Sequence, residues 1–287
     1  MEEINKLQII NSSEVMGAVT SAEIDKQIAT AHQYPRNLAS VLQNIEFEAQ
    51  MDEEVAERCY YHLERTDKND KVTVIEGPSV RLAEIAASRW GNLRIASRVV
   101  GNDGSMVTVE AVVHDLESNV AVSQQQARSI KTKSGMTYSN DMQVMTINAA
   151  QSIAMRNAIA RVVPKAFLDK VVKGCKEMVA GNATNLVDTR QRLVDSFAKL
   201  GVTNDMLLRK MKVSSLDEVT KEMVANMRGT YTALKDGATT LEEEFLNEER
   251  ELKKQEAQRQ AAAAAMAATK AMEKKSGEAK GKPSLFE

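Results

Sequence analysis

The chain has 287 residues, of which 38 are Lys or Arg and 40 are Asp or Glu, so its net charge is −2. That balance excludes a protein that is basic overall, so any nucleic-acid site must be a local patch. The two cysteines form no CxxC motif, no apolar run approaches the roughly 20 residues that span a bilayer, and the acidic N-terminus is unlike a signal peptide. We therefore expect a soluble intracellular protein with no membrane partner.

The first 50 residues carry a helical pattern. Ser21 is a candidate cap for a first helix, and the YPR sequence at residues 34–36 breaks the pattern before it resumes. A shorter helix is expected in MDEEVAER. We treat residues 1–50 as an N-terminal helical segment.

Residues 51–180 are predicted to form a mixed core in the order β-β-α-β-β-β-α. Aromatic and β-branched residues on either side of KNDK predict two strands, and the next helix starts near Pro78 and stops at Gly91. Three strands follow, with NDGS as a hairpin turn and ESN as a second turn. The basic loop KTKSGMTYSND then leads into a long helix over residues 141–163. These patterns predict an α+β fold with an antiparallel sheet.

After Pro164 every predicted element is helical. The pattern continues through KAFLDKVVKGCKEMVAG, and a small helical domain follows over residues 186–246. Thr203 and either Ser214 or Ser215 are candidate caps of its helices. Residues 247–287 are expected to form a charged, Ala-rich helix and a tail of disordered composition.

The long helix is largely apolar, yet it carries polar groups on more than one side. A helical period places Gln143, Asn157 and Arg161 on one stripe and Asn148, Ser152 and Arg156 on another. Such a helix should pack on more than one side. Its polar groups then find partners within the core, or in phosphates, sheet backbone or an adjacent subunit, and both alternatives stay open.

Local charge is the most informative feature of the sequence. Between Val122 and Lys176 there are nine basic and two acidic residues, a local charge of +7 in a chain whose total is −2. Clustered Lys and Arg are what phosphate neutralisation requires, and Tyr138 is an aromatic side chain suited to stacking on a base. A solvated loop and helix would carry the same charges. Nucleic acid is the favoured interpretation, because separating charge within one chain costs self-repulsion.

No catalytic, metal-binding or cofactor signature stands out. His32, His62 and His114 lie in separate segments, with no nucleophile in a recognisable frame. The paired carboxylates of DEEVAER and LEEEF are typical of solvated helix faces. The sequence predicts a protein that is not an enzyme and that has neither a metal site nor a cofactor.

Two stretches resemble a known family. The strands, basic loop and long small-residue helix between Leu93 and Lys165 resemble the core of the single-strand annealing proteins of phage recombination, the Red-beta, RecT and Erf-like groups. A second stretch, from LGVTNDMLL to TTLEEEF, is similar to a helical module of phage recombination proteins. Together they cover a little over half of the chain.

The resemblance implies ATP-independent binding of single-stranded DNA and annealing of complementary strands in phage recombination and DNA repair. Such proteins form rings or helical filaments and hold the strand in a basic groove between a β-hairpin and the long helix. Their C-terminal region commonly contacts a partner exonuclease or the host single-strand-binding protein, in the cytoplasm of a bacterial host. The residues expected to contact nucleic acid are Arg94, Arg98, Arg128, Lys131, Lys133, Tyr138, Arg156, Arg161 and Lys165.

A phage scaffold or another structural assembly protein without nucleic-acid activity is the alternative, since the acidic, Ala-rich segment at 241–275 suits it equally well. An enzyme whose site carries no recognisable motif is a third possibility. Annealing predicts salt-sensitive binding to oligonucleotides that is lost on Arg156→Glu or Lys131→Glu with the fold retained. A scaffold would self-associate without DNA and would ignore both changes.

Overall fold

A computed structural model describes residues 2–66, 72–132, 134–181 and 186–246, with side chains from residue 18 onward. Lys133 and the predicted tail over residues 247–287 lie outside the described residues, as does the KNDK turn.

The fold is α+β with two antiparallel sheets and a helical N-terminus, as the sequence predicts. The helices are α1 (Glu2–Gln33), α2 (Leu38–Ala49), α3 (Glu53–Arg58), α4 (Val80–Trp90), α5 (Asn140–Val162), α6 (Lys165–Gly181), α7 (Leu186–Ala198), α8 (Asn204–Met211) and α9 (Lys221–Lys235). The strands are β1 (Tyr60–Thr66), β2 (Val72–Pro78), β3 (Leu93–Asn102), β4 (Met106–Asp115) and β5 (Val120–Ser129). The predicted core order β-β-α-β-β-β-α is confirmed. Among the described helices, none is both long and apolar enough to cross a membrane.

Several helix boundaries follow from local chemistry. A hydroxyl at the cap position accepts a hydrogen bond from a backbone N–H of the first turn at Ser79 of α4, Ser139 of α5, Thr203 of α8 and Thr220 of α9. Gly91 ends α4 with a φ of 66°, a left-handed backbone that glycine adopts without strain. The predictions for Thr203 and Gly91 are confirmed.

Two predicted caps are wrong. Ser21 lies inside α1, which runs unbroken to Gln33, because a single serine within a helix lowers helix propensity only slightly. Neither Ser214 nor Ser215 caps α9. A short 3₁₀ turn over Leu216–Glu218 intervenes, and the hydroxyl of Thr220 accepts the N–H of Met223 instead.

The three-stranded sheet, in the order β3-β4-β5, has one covered and one open face. The side chains of Val107, Val109, Ala111 and Val113 in β4 are fully buried, and α5 packs against β4 and β5 on that side. The alternate residues Thr108, Glu110, Val112 and His114 are only half-buried. Successive side chains of a strand point to opposite faces, so β4 separates the covered face from the open one.

Helix α5 packs on more than one side, as predicted. It lies across the sheet and also contacts α4 and α6. Its buried residues, Ala150, Ile153, Ala154, Ala158 and Ile159, do not fall on a single stripe. Beyond its first turns the helix has little solvent-facing surface, so Ser152, Arg156 and Asn157 are half-buried, whereas Asn148 and Arg161 remain exposed.

The apolar side chains form two clusters. The larger one lies between α2–α6 and the sheet, and the smaller one lies within α7, α8 and α9. Helix α9 joins them, because Ala225 belongs to the first cluster and Val224 to the second. A Cβ at Gly229 would lie 2.8 Å from the backbone nitrogen of His62, so glycine lets α9 approach β1 closely.

Candidate nucleic-acid interface

The register of the sheet separates the predicted contact residues. Arg94 pairs with His114 and Arg98 with Glu110, so both arginines lie on the open face, away from α5. Arg128 pairs with the buried Val107 and therefore lies on the covered face. Directly paired residues of antiparallel strands share a face. The predicted residues thus do not line one groove between a hairpin and the long helix.

On the open face, the two arginines already have partners. Arg98 donates through Nε and Nη2 to Glu110 Oε2, at 3.0 and 2.8 Å. The same Glu110 accepts from the hydroxyl of Ser123 on β5, and these contacts lower its pKa. Arg94 donates to Gln27 Oε1 of α1 at 3.2 Å. Arg98 remains largely exposed, whereas Arg94 holds α1 against the end of the sheet.

The loop after β5 contains Lys131 and Tyr138. An isolated bridge joins Lys131 to Thr137, and the Tyr138 N–H donates to the carbonyl of Ile130 at 2.8 Å. Lys131 and Tyr138 are both half-buried. The loop is therefore a closed turn at the start of α5, and Lys133 lies outside the described residues.

Arg156 is half-buried, and the structure gives it a packing role. Its guanidinium lies 4.8 Å from the centroid of the Tyr61 ring, and it donates through Nε and Nη2 to Asn157 Oδ1. Nη1 is buried without a hydrogen-bond acceptor among the described residues. Burial lowers the pKa of Arg156, although Tyr61 and Asp236 oppose that shift. This half-buried cation over an aromatic ring joins α5 to the β1–β2 hairpin.

Arg128 lies in the same interior region as Arg156. Its Nη2 donates to the carbonyl of Gly237, in the turn that follows α9. A Cβ at Gly237 would lie 2.9 Å from the Cβ of Ala149, and the φ of 68° there is left-handed, so this turn requires glycine. Arg128 therefore fastens the α9 turn to the sheet.

Arg161 and Lys165 are the two predicted residues that the structure brings together at an accessible site. They line a cleft of about 320 Å³ with Gln124 of β5, Asn157 of α5 and Leu168 of α6. Pro78, at the end of β2, and Ala160 complete its wall. We call this feature the β5–α5 cleft. It forms because α5 ends at Val162, and Pro164 then turns the chain into α6.

The cleft presents positive charge and amide groups. Arg161 is exposed and pairs with no carboxylate in the described part of the chain. Lys165 is 81% exposed and lies 2.6 Å from Asp169, a surface pair of small energetic value. Gln124 Oε1 is buried with no hydrogen-bond donor among the described residues. The cleft therefore offers two cations beside a free acceptor and the amide of Asn157.

Much of the local positive charge seen in the sequence is neutralised by remote acids. In α6, Lys170 pairs with Glu46 of α2 at 2.7 Å, and Lys176 pairs with Glu76 of β2 at 2.7 Å. The bond from Lys176 is the largest of the contacts that lower the pKa of Glu76. The surface that is free to bind phosphate is thus smaller than the local charge of +7 suggests, and Arg161 lies at its centre.

Sequence reasoning missed Gln124. It stands in a run of three glutamines, and only the alternation of β5, in which Val122 and Gln124 share a face, could have placed it beside α5. Arg161 was predicted from local charge and the family resemblance. The helical period placed Asn157 on the same stripe, but Asn157 was not among the residues expected to contact nucleic acid.

The described lining of the cleft includes no His, Cys, Ser, Thr, Asp or Glu side chain. Within the described ranges, no group of three or more His, Cys, Asp or Glu side chains could hold a metal ion. Comparisons with protein families, with curated proteins and with solved structures found no match to this chain.

Proposed function

We propose that this protein binds single-stranded DNA without covalent chemistry and anneals complementary strands independently of ATP, as a phage recombination protein in the cytoplasm of a bacterial host. The observation that carries the proposal is the β5–α5 cleft. There, the unpaired Arg161 stands beside Lys165 and the amides of Gln124 and Asn157.

The physical argument begins with phosphate. An exposed arginine without a carboxylate partner gives up no ion pair when it binds a phosphodiester, and Lys165 gives up only an exposed one. Neutralising phosphates also reduces the repulsion between two strands, which is the barrier to annealing. The side-chain amide of Asn157 can still donate to an oxygen of a base or sugar, a contact that does not select one sequence.

Self-association is the second part of the proposal. Strand β3 is an edge of its sheet, and Ile95, Val99 and Val100 are 37%, 45% and 44% exposed. An open strand edge with apolar side chains is a suitable surface for pairing with another chain. A ring or filament of such copies would align many short contacts along one strand. A partner exonuclease and the host single-strand-binding protein are proposed to bind the C-terminal region.

The same exposed edge also suits an assembly protein with no nucleic-acid activity. Two measurements on the wild-type protein separate the candidates. The first follows the pairing of complementary labelled oligonucleotides without nucleotide, and the second follows oligomer mass with and without DNA. Accelerated pairing supports annealing. Oligomers that form equally without DNA, with no acceleration, would leave the assembly protein as the better account.

A further inference from the structure

A second charged cavity lies between α3, α4, α7 and α9. It has a volume of about 450 Å³ and shares no lining residue with the β5–α5 cleft. Four basic side chains from three helices line it: Arg58, Arg81, Arg228 and Lys235. We call it the α3–α9 cavity. We propose that it binds a nucleotide through its phosphate monoester, presented either by a free mononucleotide or by the 5′ end of a DNA strand.

Three of the four cations can turn toward a ligand. Among the described residues, Arg58 forms an ion pair with Glu54 alone, on the preceding turn, and both side chains are exposed. Arg81 lies 3.6 Å from Glu84, another exposed pair on one helix. Lys235 pairs with no carboxylate in the described part of the chain, and its Nζ lies 5.9 Å from the centroid of the Tyr231 ring. Exposed pairs of this kind contribute little, so a phosphate dianion can replace them.

The other charged side chains of the wall, those of Arg228, Glu57 and Asp236, already have partners within the protein. Arg228 is buried, and its Nη1 lies 3.0 Å from Glu57. Asp236 accepts the backbone N–H of Val80 at 3.1 Å. Burial raises the pKa of both Glu57 and Asp236. Both carboxyl groups thus have partners in the wall, whereas Arg58, Arg81 and Lys235 can turn toward a ligand.

The size and the other wall residues favour a nucleotide over a bare phosphate ion. Small-ligand sites typically enclose about 300–1,000 Å³, and this cavity lies within that range. Tyr231 supplies an aromatic surface, and its far side is fixed by an edge contact with Phe197, with ring centroids 5.5 Å apart. Ser196 and Thr232 add hydroxyl groups for a sugar or a phosphate.

The test uses the full chain and isothermal titration calorimetry with adenosine monophosphate, with adenosine as the ligand that lacks the phosphate. We expect the monophosphate to bind at least about tenfold more tightly than adenosine, since the phosphate makes the charged contacts. The variant Arg81→Gln/Lys235→Gln should lose that preference. The matched control, Arg209→Gln/Lys221→Gln, removes two exposed charges from α8 and α9 outside the cavity and should keep it.

Two oligonucleotides that differ only in a 5′ phosphate distinguish the sources of the ligand. If the phosphorylated strand binds more tightly and Arg81→Gln/Lys235→Gln abolishes the difference, the cavity takes strand ends. If the two strands bind equally while adenosine monophosphate still binds, the cavity takes a free nucleotide. The proposal is overturned if neither probe shows a phosphate preference, or if the preference persists in the cavity variant. Arg161→Gln/Lys165→Gln should still bind the monophosphate, so failure of the cavity and failure of the annealing function can be told apart.

Discussion

Arg156 and Arg161 lie on the same helix, little more than one turn apart, and they end in opposite environments. Arg156 is half-buried against Tyr61, with a buried Nη1 that has no acceptor among the described residues, whereas Arg161 is exposed at the β5–α5 cleft and pairs with no carboxylate there. Both are equally basic in the sequence. The difference teaches that burial, and not the count of charges, decides which basic residues are available to phosphate.

The largest effect is expected from reversing the charge of Arg156, whose guanidinium is partly desolvated. Arg156→Glu would place a second carboxylate near Asp236, whose pKa burial already raises. We expect a loss of roughly 3–5 kcal/mol in unfolding free energy, measured by urea denaturation. Arg156→Glu is therefore unsuited as a binding test that leaves the fold intact.

The matched change for that experiment is Arg156→Met, which keeps an unbranched apolar side chain and removes the charge. It should alter stability by no more than about 1 kcal/mol, because a desolvated charge with an unpaired donor adds little. If Arg156→Glu were as stable as the wild-type protein, Arg156 could not be a packing residue.

An arginine whose side chain is almost fully enclosed sharpens the contrast. Arg36 donates to both carboxylate oxygens of Asp115 at 2.6 Å, and the two side chains are 8% and 5% exposed. The indole of Trp90 also donates to Asp115, and Arg36 lies 4.7 Å from the Trp90 ring centroid. Asp115→Asn should reduce the unfolding free energy at neutral pH by roughly 2–3 kcal/mol, again by urea denaturation. Wild-type stability in this variant would show that the ion pair does not hold the α1–α2 corner on the sheet.

The same pair predicts a pH dependence. Burial alone would raise the pKa of Asp115, but hydrogen bonds from Arg36, Trp90 and the following backbone outweigh it and lower the pKa from 3.8 to about 2. The folded state thus binds this proton less readily than the unfolded state. The stabilisation, about 2 kcal/mol, is present above pH 4 and is lost as the pH falls toward 2. The unfolding free energy of Asp115→Asn, subtracted from that of the wild-type protein at each pH, isolates this contribution. A difference that stays constant between about pH 4 and pH 2 would contradict it.

A smaller effect is expected from neutralising the exposed cations. Arg161→Gln/Lys165→Gln should weaken binding to a single-stranded oligonucleotide about tenfold, since two charge-assisted phosphate contacts are lost. Its melting temperature should match that of the wild-type protein, because both residues are exposed. The control Arg209→Gln/Lys221→Gln should bind like the wild-type protein in the same anisotropy titration.

The smallest effect is expected on the open face of the sheet. Arg98 is exposed but satisfied by Glu110, so Arg98→Gln should change oligonucleotide affinity by no more than about twofold. Anisotropy titrations beside the wild-type protein measure this. A loss as large as that of the cleft variant would place the binding surface on the open face instead.

The sequence predicted the order of elements well, because alternation, turn residues and caps are local signals. NDGS and Gly91 mark chain reversals whose backbone demands do not depend on distant residues. The position of α5 against several neighbours was also readable from its lack of a wide polar face.

What the sequence could not give are the distant partners. Glu46 and Glu76 neutralise lysines of α6 from other elements, and Tyr61 covers Arg156 across the fold. The predicted contact residues of β3 lie on one face of the sheet, and Arg128 of β5 lies on the other face. Only the packing of α5 decides which of the two faces is covered. For the same reason the α3–α9 cavity, built from separate helices, left no local pattern.

The salt dependence of oligonucleotide binding, compared between the wild-type protein and Arg161→Gln/Lys165→Gln, tests the central claim most directly. Each phosphate contact on a single strand contributes about 0.7 to the slope of log affinity against log salt. We predict a steep slope for the wild-type protein and a slope shallower by about 1.4 for the variant. Equal slopes, or no binding at low salt, would contradict a phosphate-binding role for the β5–α5 cleft.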